Sequence, residues 1–136
     1  MKIFKIIPIL IFTFLLLGAV YSSDIDTISF EGVNFHIMDD FKDSGKIRDY
    51  DGLGSDGKTC LYTNNESEKI EITVISDWMG ISLDDFKRDG ASKKTINGHK
   101  GWSYKQNDLS YFGYVSGDEG ILVGVTNSSY LYDIII

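Results

Sequence analysis

Between residues 28 and 126 the chain is a series of short apolar–polar alternations, most of them closed by turn residues. Alternation with period two puts one set of side chains on one face of a strand. A two-residue turn joins such strands antiparallel. Ile28-Ser29-Phe30 and Val33-Asn34-Phe35-His36-Ile37 flank Glu31-Gly32 and predict a first hairpin. Lys93 to Trp102 contains Asn97-Gly98, the strongest short hairpin signal. A two-residue turn there sets Ile96 opposite His99 and Thr95 opposite Lys100, and puts Trp102 and Tyr104 on one face.

Further strands are expected over Thr59–Thr63 and Lys69–Ser76, the latter with Ile70, Ile72 and Val74 on one face. Leu109–Val115 and Ile121–Thr126 are apolar on both faces, as central strands are. Asp39 to Lys58 is polar and Gly-rich and reads as a long loop, hiding a short helix or acting as a lid. A helix is expected after Ser82, with Asp85 as capping-box partner, Ile81 and Phe86 as hydrophobic staple, and Gly90 as terminator. Ser128 or Ser129 can cap a last helix, Tyr130 to Ile136, which ends on three isoleucines and of which part is expected to dock on the sheet. The fold class read from this pattern is α+β: a mainly antiparallel sheet of about six to seven strands with one or two helices packed on it.

The first residues set the compartment. Met1-Lys2-Ile3-Phe4-Lys5, an apolar run from Ile6 to Val20, and Tyr21-Ser22-Ser23 make a positive head, a greasy middle and small residues. Residues 1–22 read as a signal peptide or an N-terminal membrane anchor helix, and residues 23–136 as a single globular domain outside the cytoplasm. The apolar run is short for a bilayer span, which favours cleavage. If the segment is retained, residues 3–21 are the membrane contact.

The whole chain carries 13 basic and 20 acidic residues, net −7. Loss of Lys2 and Lys5 with the leader leaves −9. Such a domain is a poor partner for nucleic acid or an anionic membrane face. Cys60 is the one cysteine, so no intramolecular disulfide forms and packing alone must hold the domain.

Several motifs carry candidate chemistry. Gly52-Leu53-Gly54-Ser55-Asp56-Gly57-Lys58-Thr59 matches the phosphate-loop pattern, yet no buried strand precedes it and a β-rich run follows it. Asp49, Asp51 and Asp56 are weak calcium candidates that miss the EF-hand spacing. His36 and His99 have no zinc spacing, and no cofactor is expected. Cys60 with His36 or His99 is the one conceivable nucleophile–base pair. Trp78, Trp102, Tyr104, Tyr111 and Tyr114 offer either core packing or an aromatic binding face for a sugar, peptide or partner protein. Asn65 in Asn65-Glu66-Ser67 is the better glycosylation candidate, ahead of Asn127.

The opening Ile28-Ser29-Phe30-Glu31-Gly32-Val33-Asn34-Phe35-His36-Ile37 with Asp40-Phe41 resembles the start of small exported proteins of the PsbP/Mog1-like fold, with Met38 where a proline is usual. The Thr95–Trp102 hairpin and the Phe112–Val125 strand pair are similar to that fold too. The layout also resembles small secreted proteins of methanogenic archaea. The resemblance implies a sheet with helices packed on it and a binding or accessory role, and brings no catalytic residues. The expectation is an exported, non-catalytic binding or accessory domain at the cell envelope, with an unknown protein or envelope component as partner. The alternative is a small extracytoplasmic hydrolase or thiol enzyme built on Cys60.

Overall fold

The structure is a computed structural model, and it describes residues 25–50, 56–76 and 80–136. The predicted leader and anchor helix, residues 1–22, lies outside them. Nine strands follow one another: β1 (Ile25–Phe30), β2 (Val33–Met38), β3 (Lys42–Tyr50), β4 (Gly57–Thr63), β5 (Lys69–Ser76), β6 (Ser92–Ile96), β7 (His99–Gln106), β8 (Leu109–Ser116) and β9 (Glu119–Val125). A single 3₁₀ turn (Leu83–Phe86) sits between β5 and β6, and one short helix, α1 (Tyr130–Ile134), follows β9. Strands β3 to β9 form one seven-stranded antiparallel sheet in the order β3-β4-β5-β9-β8-β7-β6, while β1 and β2 form a separate two-stranded ribbon.

The α+β expectation is corrected: 62% of the described residues are strand and 9% helical, so the domain is mostly β. Two misread segments account for this. Asp39–Lys58 is not one long loop: β3 takes Lys42–Tyr50 and forms the sheet edge beside β4, which Gly57 and Lys58 open. The helix expected after Ser82 is one 3₁₀ turn. Its start signal is real: the Ser82 N–H donates to Asp85 Oδ2 at 2.8 Å. Ile81 and Phe86 both lie against Gly120 on the sheet, so the segment is pinned at both ends across its only turn.

The turn chemistry reads true. Glu31 and Gly32 have φ of 51° and 82°, and Asn97 and Gly98 have 47° and 87°, the left-handed pairs that two-residue hairpins need. Ile96 faces His99 and Thr95 faces Lys100. Asn97 does more than turn. Its Nδ2 donates to the main-chain oxygens of Tyr132 (2.8 Å) and Ile135 (2.7 Å), fastening the hairpin to α1.

The two faces of the large sheet are covered differently. On one, the β1–β2 ribbon and α1 bring Phe30, Phe35, Ile37, Leu131, Ile134 and Ile135 onto Ile70, Ile72, Val74, Phe112, Ile121 and Val123, a large dry core. On the other, the β5–β6 crossover lays Ile81, Leu83 and Phe86 onto Ile75, Trp102 and Leu122. Gly113 makes this approach possible, since a Cβ there would stand 2.5 Å from Phe86 carbons. The crossover covers one end of this second face, and the other end keeps its own polar and aromatic groups.

Candidate binding face

Along β7 and β8 the residues on the crossover side are Trp102, Tyr104, Tyr111 and Gly113, by the pairing Trp102–Gly113 and Tyr104–Tyr111. Trp102 is 7% exposed beneath the crossover, with the Lys87 and Lys93 ammonium groups 5.3 Å and 5.5 Å from its ring centre. Tyr104 and Tyr111 are half-buried beyond it. Their rings stack at 5.3 Å with 18° between planes, and the Arg88 guanidinium lies 5.8 Å over Tyr104. The Tyr111 ring in turn lies on Gly124 of β9, where a Cβ would meet it at 2.5 Å.

A polar chain continues from the tyrosines across the same face. The Tyr111 hydroxyl is 3.5 Å from Glu71 Oε1, and Glu71 Oε2 is 3.2 Å from Arg48 Nη2. Burial, and then the neighbouring Glu71 carboxylate, push the Tyr111 phenol up to about 12. Beside this chain lies a cavity of about 470 Å³ whose lining includes Arg48, Leu61, Lys69, Glu71, Leu109 and Thr126. Apolar walls with a few hydrogen-bonding groups suit a small-molecule, sugar or peptide contact.

The structure thus brings together three of the five aromatic candidates, Trp102, Tyr104 and Tyr111. Tyr114 is excluded from this face. It points into the dry core at 2% exposure, its ring 5.5 Å from Phe112 and its phenol pushed up by burial. Trp78 lies outside the described residues. Sequence reasoning missed Arg48, Glu71 and Arg88. Arg48 stood in the supposed loop, and Arg88 fell within the helix expected after Ser82. The available signal was the alternation of β5, which sets Glu71 opposite Ile70 and Ile72.

The thiol pair is not assembled. Cys60 is 4% exposed on β4, and burial, with the Asp43 charge second, pushes its thiol up to about 12. At neutral pH it is a protonated thiol and not a nucleophile. His99 sits four strands away across the sheet, on the order of 19 Å at ordinary strand spacing. His99 Nε2 is instead 2.7 Å from the Ile136 main-chain oxygen, an acceptor, which marks Nε2 as its protonated nitrogen. His36 alternates with buried Phe35 and Ile37, so it faces away from the core that holds Cys60.

The loop motifs fare no better. Gly57, Lys58 and Thr59 open β4 and not a helix, so the phosphate-loop match is a coincidence of letters. Lys58 is hydrogen-bonded to Asp49 on the adjacent strand, and that bond raises its pKa. Asp51 lies outside the described residues, and Asp49 is spent on Lys58. Among the described residues no group of three His, Cys, Asp or Glu side chains is placed to hold a metal ion. Asn65 is exposed in the β4–β5 turn, which is organised by Asn64 Oδ1 accepting from the Glu66 and Glu68 N–H groups. No helix among the described residues is long and apolar enough to cross a membrane. No protein-family model, no curated protein and no solved structure matches this chain.

Proposed function

We propose that this chain is a non-catalytic binding or accessory domain, exported by its N-terminal segment to the cell envelope, and that it holds its partner against the Tyr104–Tyr111 face. One observation carries the reading. The chain's own ribbon and helix bury one face of the sheet, while the other keeps a stacked pair of half-exposed tyrosines, an Arg48–Glu71 ion pair and an adjoining cavity. Tyrosine supplies contact area with only two side-chain torsions to immobilise, and Arg48 and Glu71 supply orientation. Cys60, buried, protonated and four strands from His99, is not an activated nucleophile, which removes the thiol-enzyme alternative built on that pair. The role also accords with the one implied by the resemblance to small exported proteins.

The test is retention of the purified protein on a washed envelope fraction. The wild-type domain is expected to be retained and the Tyr104→Ala/Tyr111→Ala variant to elute, provided circular dichroism shows both folded. Equal retention of the two removes this face from the proposal. Recovery of a protein with intact residues 1–22 from the cytosol removes export.

A further inference from the structure

The charge of this acidic domain is unevenly placed. Six of its eleven basic residues, Lys87, Arg88, Lys93, Lys94, Lys100 and Lys105, fall between positions 87 and 105, against one acid, Asp89. The remainder of residues 23–136 holds five basic and nineteen acidic residues. The fold gathers this stretch at one border. β6 is the last strand of the sheet, paired only to β7, and Ser92, Lys93, Lys94 and Thr95 are all exposed. Lys93, Lys94, Thr95 and Lys100 line a cavity of about 400 Å³ with Leu83 and Gly101. Among the described residues the ion pairs within 4 Å are Arg48–Glu71 and Lys58–Asp49, so none of these lysines is neutralised.

The main chain of β6 is equally uncommitted. Ile96 and His99 flank a two-residue turn, the position of a hydrogen-bonded pair, so Ser92 and Lys94 also bond to β7. Lys93 and Thr95 then turn their N–H and C=O groups outward. The opposite border, β3, is built otherwise. It mixes Lys42, Lys46 and Arg48 with Asp43 and Asp49, and a register shift between Asp43 and Ile47 breaks its line. Such irregularity blocks strand addition, whereas β6 is regular and of a single sign. Lysines on an edge repel a second copy of the same edge but attract an acidic strand.

We propose that β6 is the docking site for an extended acidic peptide segment, which adds as an eighth strand to the sheet. Main-chain bonds to Lys93 and Thr95 give the pairing, and carboxylates at alternate positions, which share one face, meet Lys93 and Lys100, while Lys94 adds to the positive field of the edge from the other face. This goes beyond the tyrosine face and does not depend on it.

The probe is a fluorescein-labelled (Glu-Thr)5 peptide, with (Lys-Thr)5 and heparin as comparisons, titrated against the full domain at low salt. The acidic peptide is expected to bind and the basic one not to. Lys93→Glu/Lys94→Glu should weaken binding at least tenfold, with Tyr104→Ala/Tyr111→Ala leaving it unchanged. Amide hydrogen exchange at Lys93 and Thr95 should slow at least tenfold in the complex. Thr95→Pro, which removes one outward N–H, should weaken the peptide and spare heparin. If the peptide fails to bind, or if exchange at Lys93 and Thr95 is unaltered in the complex and Thr95→Pro binds the peptide as tightly as wild type, the strand-addition proposal is overturned. Loss of peptide binding in the tyrosine variant while Lys93→Glu/Lys94→Glu still binds overturns it in favour of the other face.

Discussion

Phe86 lies directly on Gly113: the Cβ that any other residue would add there would stand 2.5 Å from its ring carbons. The contact closes the crossover onto the sheet, and Phe86 is 1% exposed in it. Gly113→Ala should therefore overfill the site and destabilise the domain by about 1–3 kcal/mol. Phe86→Ala should cost about 3–5 kcal/mol by leaving a cavity. Urea denaturation of both variants measures this. A Gly113→Ala midpoint equal to wild type would mean the crossover moves freely.

Asn97 joins two elements with one amide. Asn97→Gly keeps the left-handed turn and loses both bonds to α1, and should cost about 1–3 kcal/mol, because two carbonyl groups lose their donor. Asn97→Asp should cost more than Asn97→Gly, since it sets a carboxylate against the same two oxygens. Equal stability of the two variants in urea would show that the amide does not bridge.

Tyr111 offers a spectroscopic reporter. Its phenol is pushed up to about 12 by burial first and Glu71 second. Glu71→Gln should lower that value while leaving it above the ordinary 10, because burial remains. Absorbance near 295 nm during alkaline titration follows it. A titration unchanged by Glu71→Gln would break the proposed Tyr111–Glu71–Arg48 chain.

Alkali should unfold the domain early. Cys60 and Tyr111, with ordinary values of 9.0 and 10.0, each stand at about 12 when folded. Between the ordinary and the raised values the folded state holds more protons than the unfolded state. Stability is thus full below about pH 9 and declines as pH rises toward 12. Cys60→Ala should flatten the first part of that decline, because the thiol titrates first on unfolding. Thiol reagents at pH 8 should label Cys60 only after denaturant is added.

The parts of this fold that could be read in the sequence are those with local causes. Glu31-Gly32 and Asn97-Gly98 dictate their hairpins because only residues tolerant of positive φ close such turns, and the Ile96–His99 register follows at once. The apolar runs of β8 and β9 announce central strands because their buried residues fall on both faces. β3 was illegible because almost every residue in it is exposed, so no alternation betrays it. Its conformation is imposed by β4 beside it. The Ser82 segment carries genuine start signals, yet Ile81 and Phe86 are both claimed by Gly120 and its surroundings, and tertiary anchoring wins over helix propensity. The candidate face was half visible. Alternation put Trp102 with Tyr104, but which face stays open depends on where the ribbon and α1 dock, and no local pattern encodes that.

The strand order has a kinetic consequence. Every neighbouring pair in the large sheet except one is also consecutive in the chain; the exception is β5 against β9, where Ile70 meets Val125. Two meanders, β3–β5 and β6–β9, can each zip up by closing short loops. The entropy of bringing distant segments together then falls almost wholly on one seam. Assembly of the two halves along that seam sets the pace at which the whole sheet comes into being.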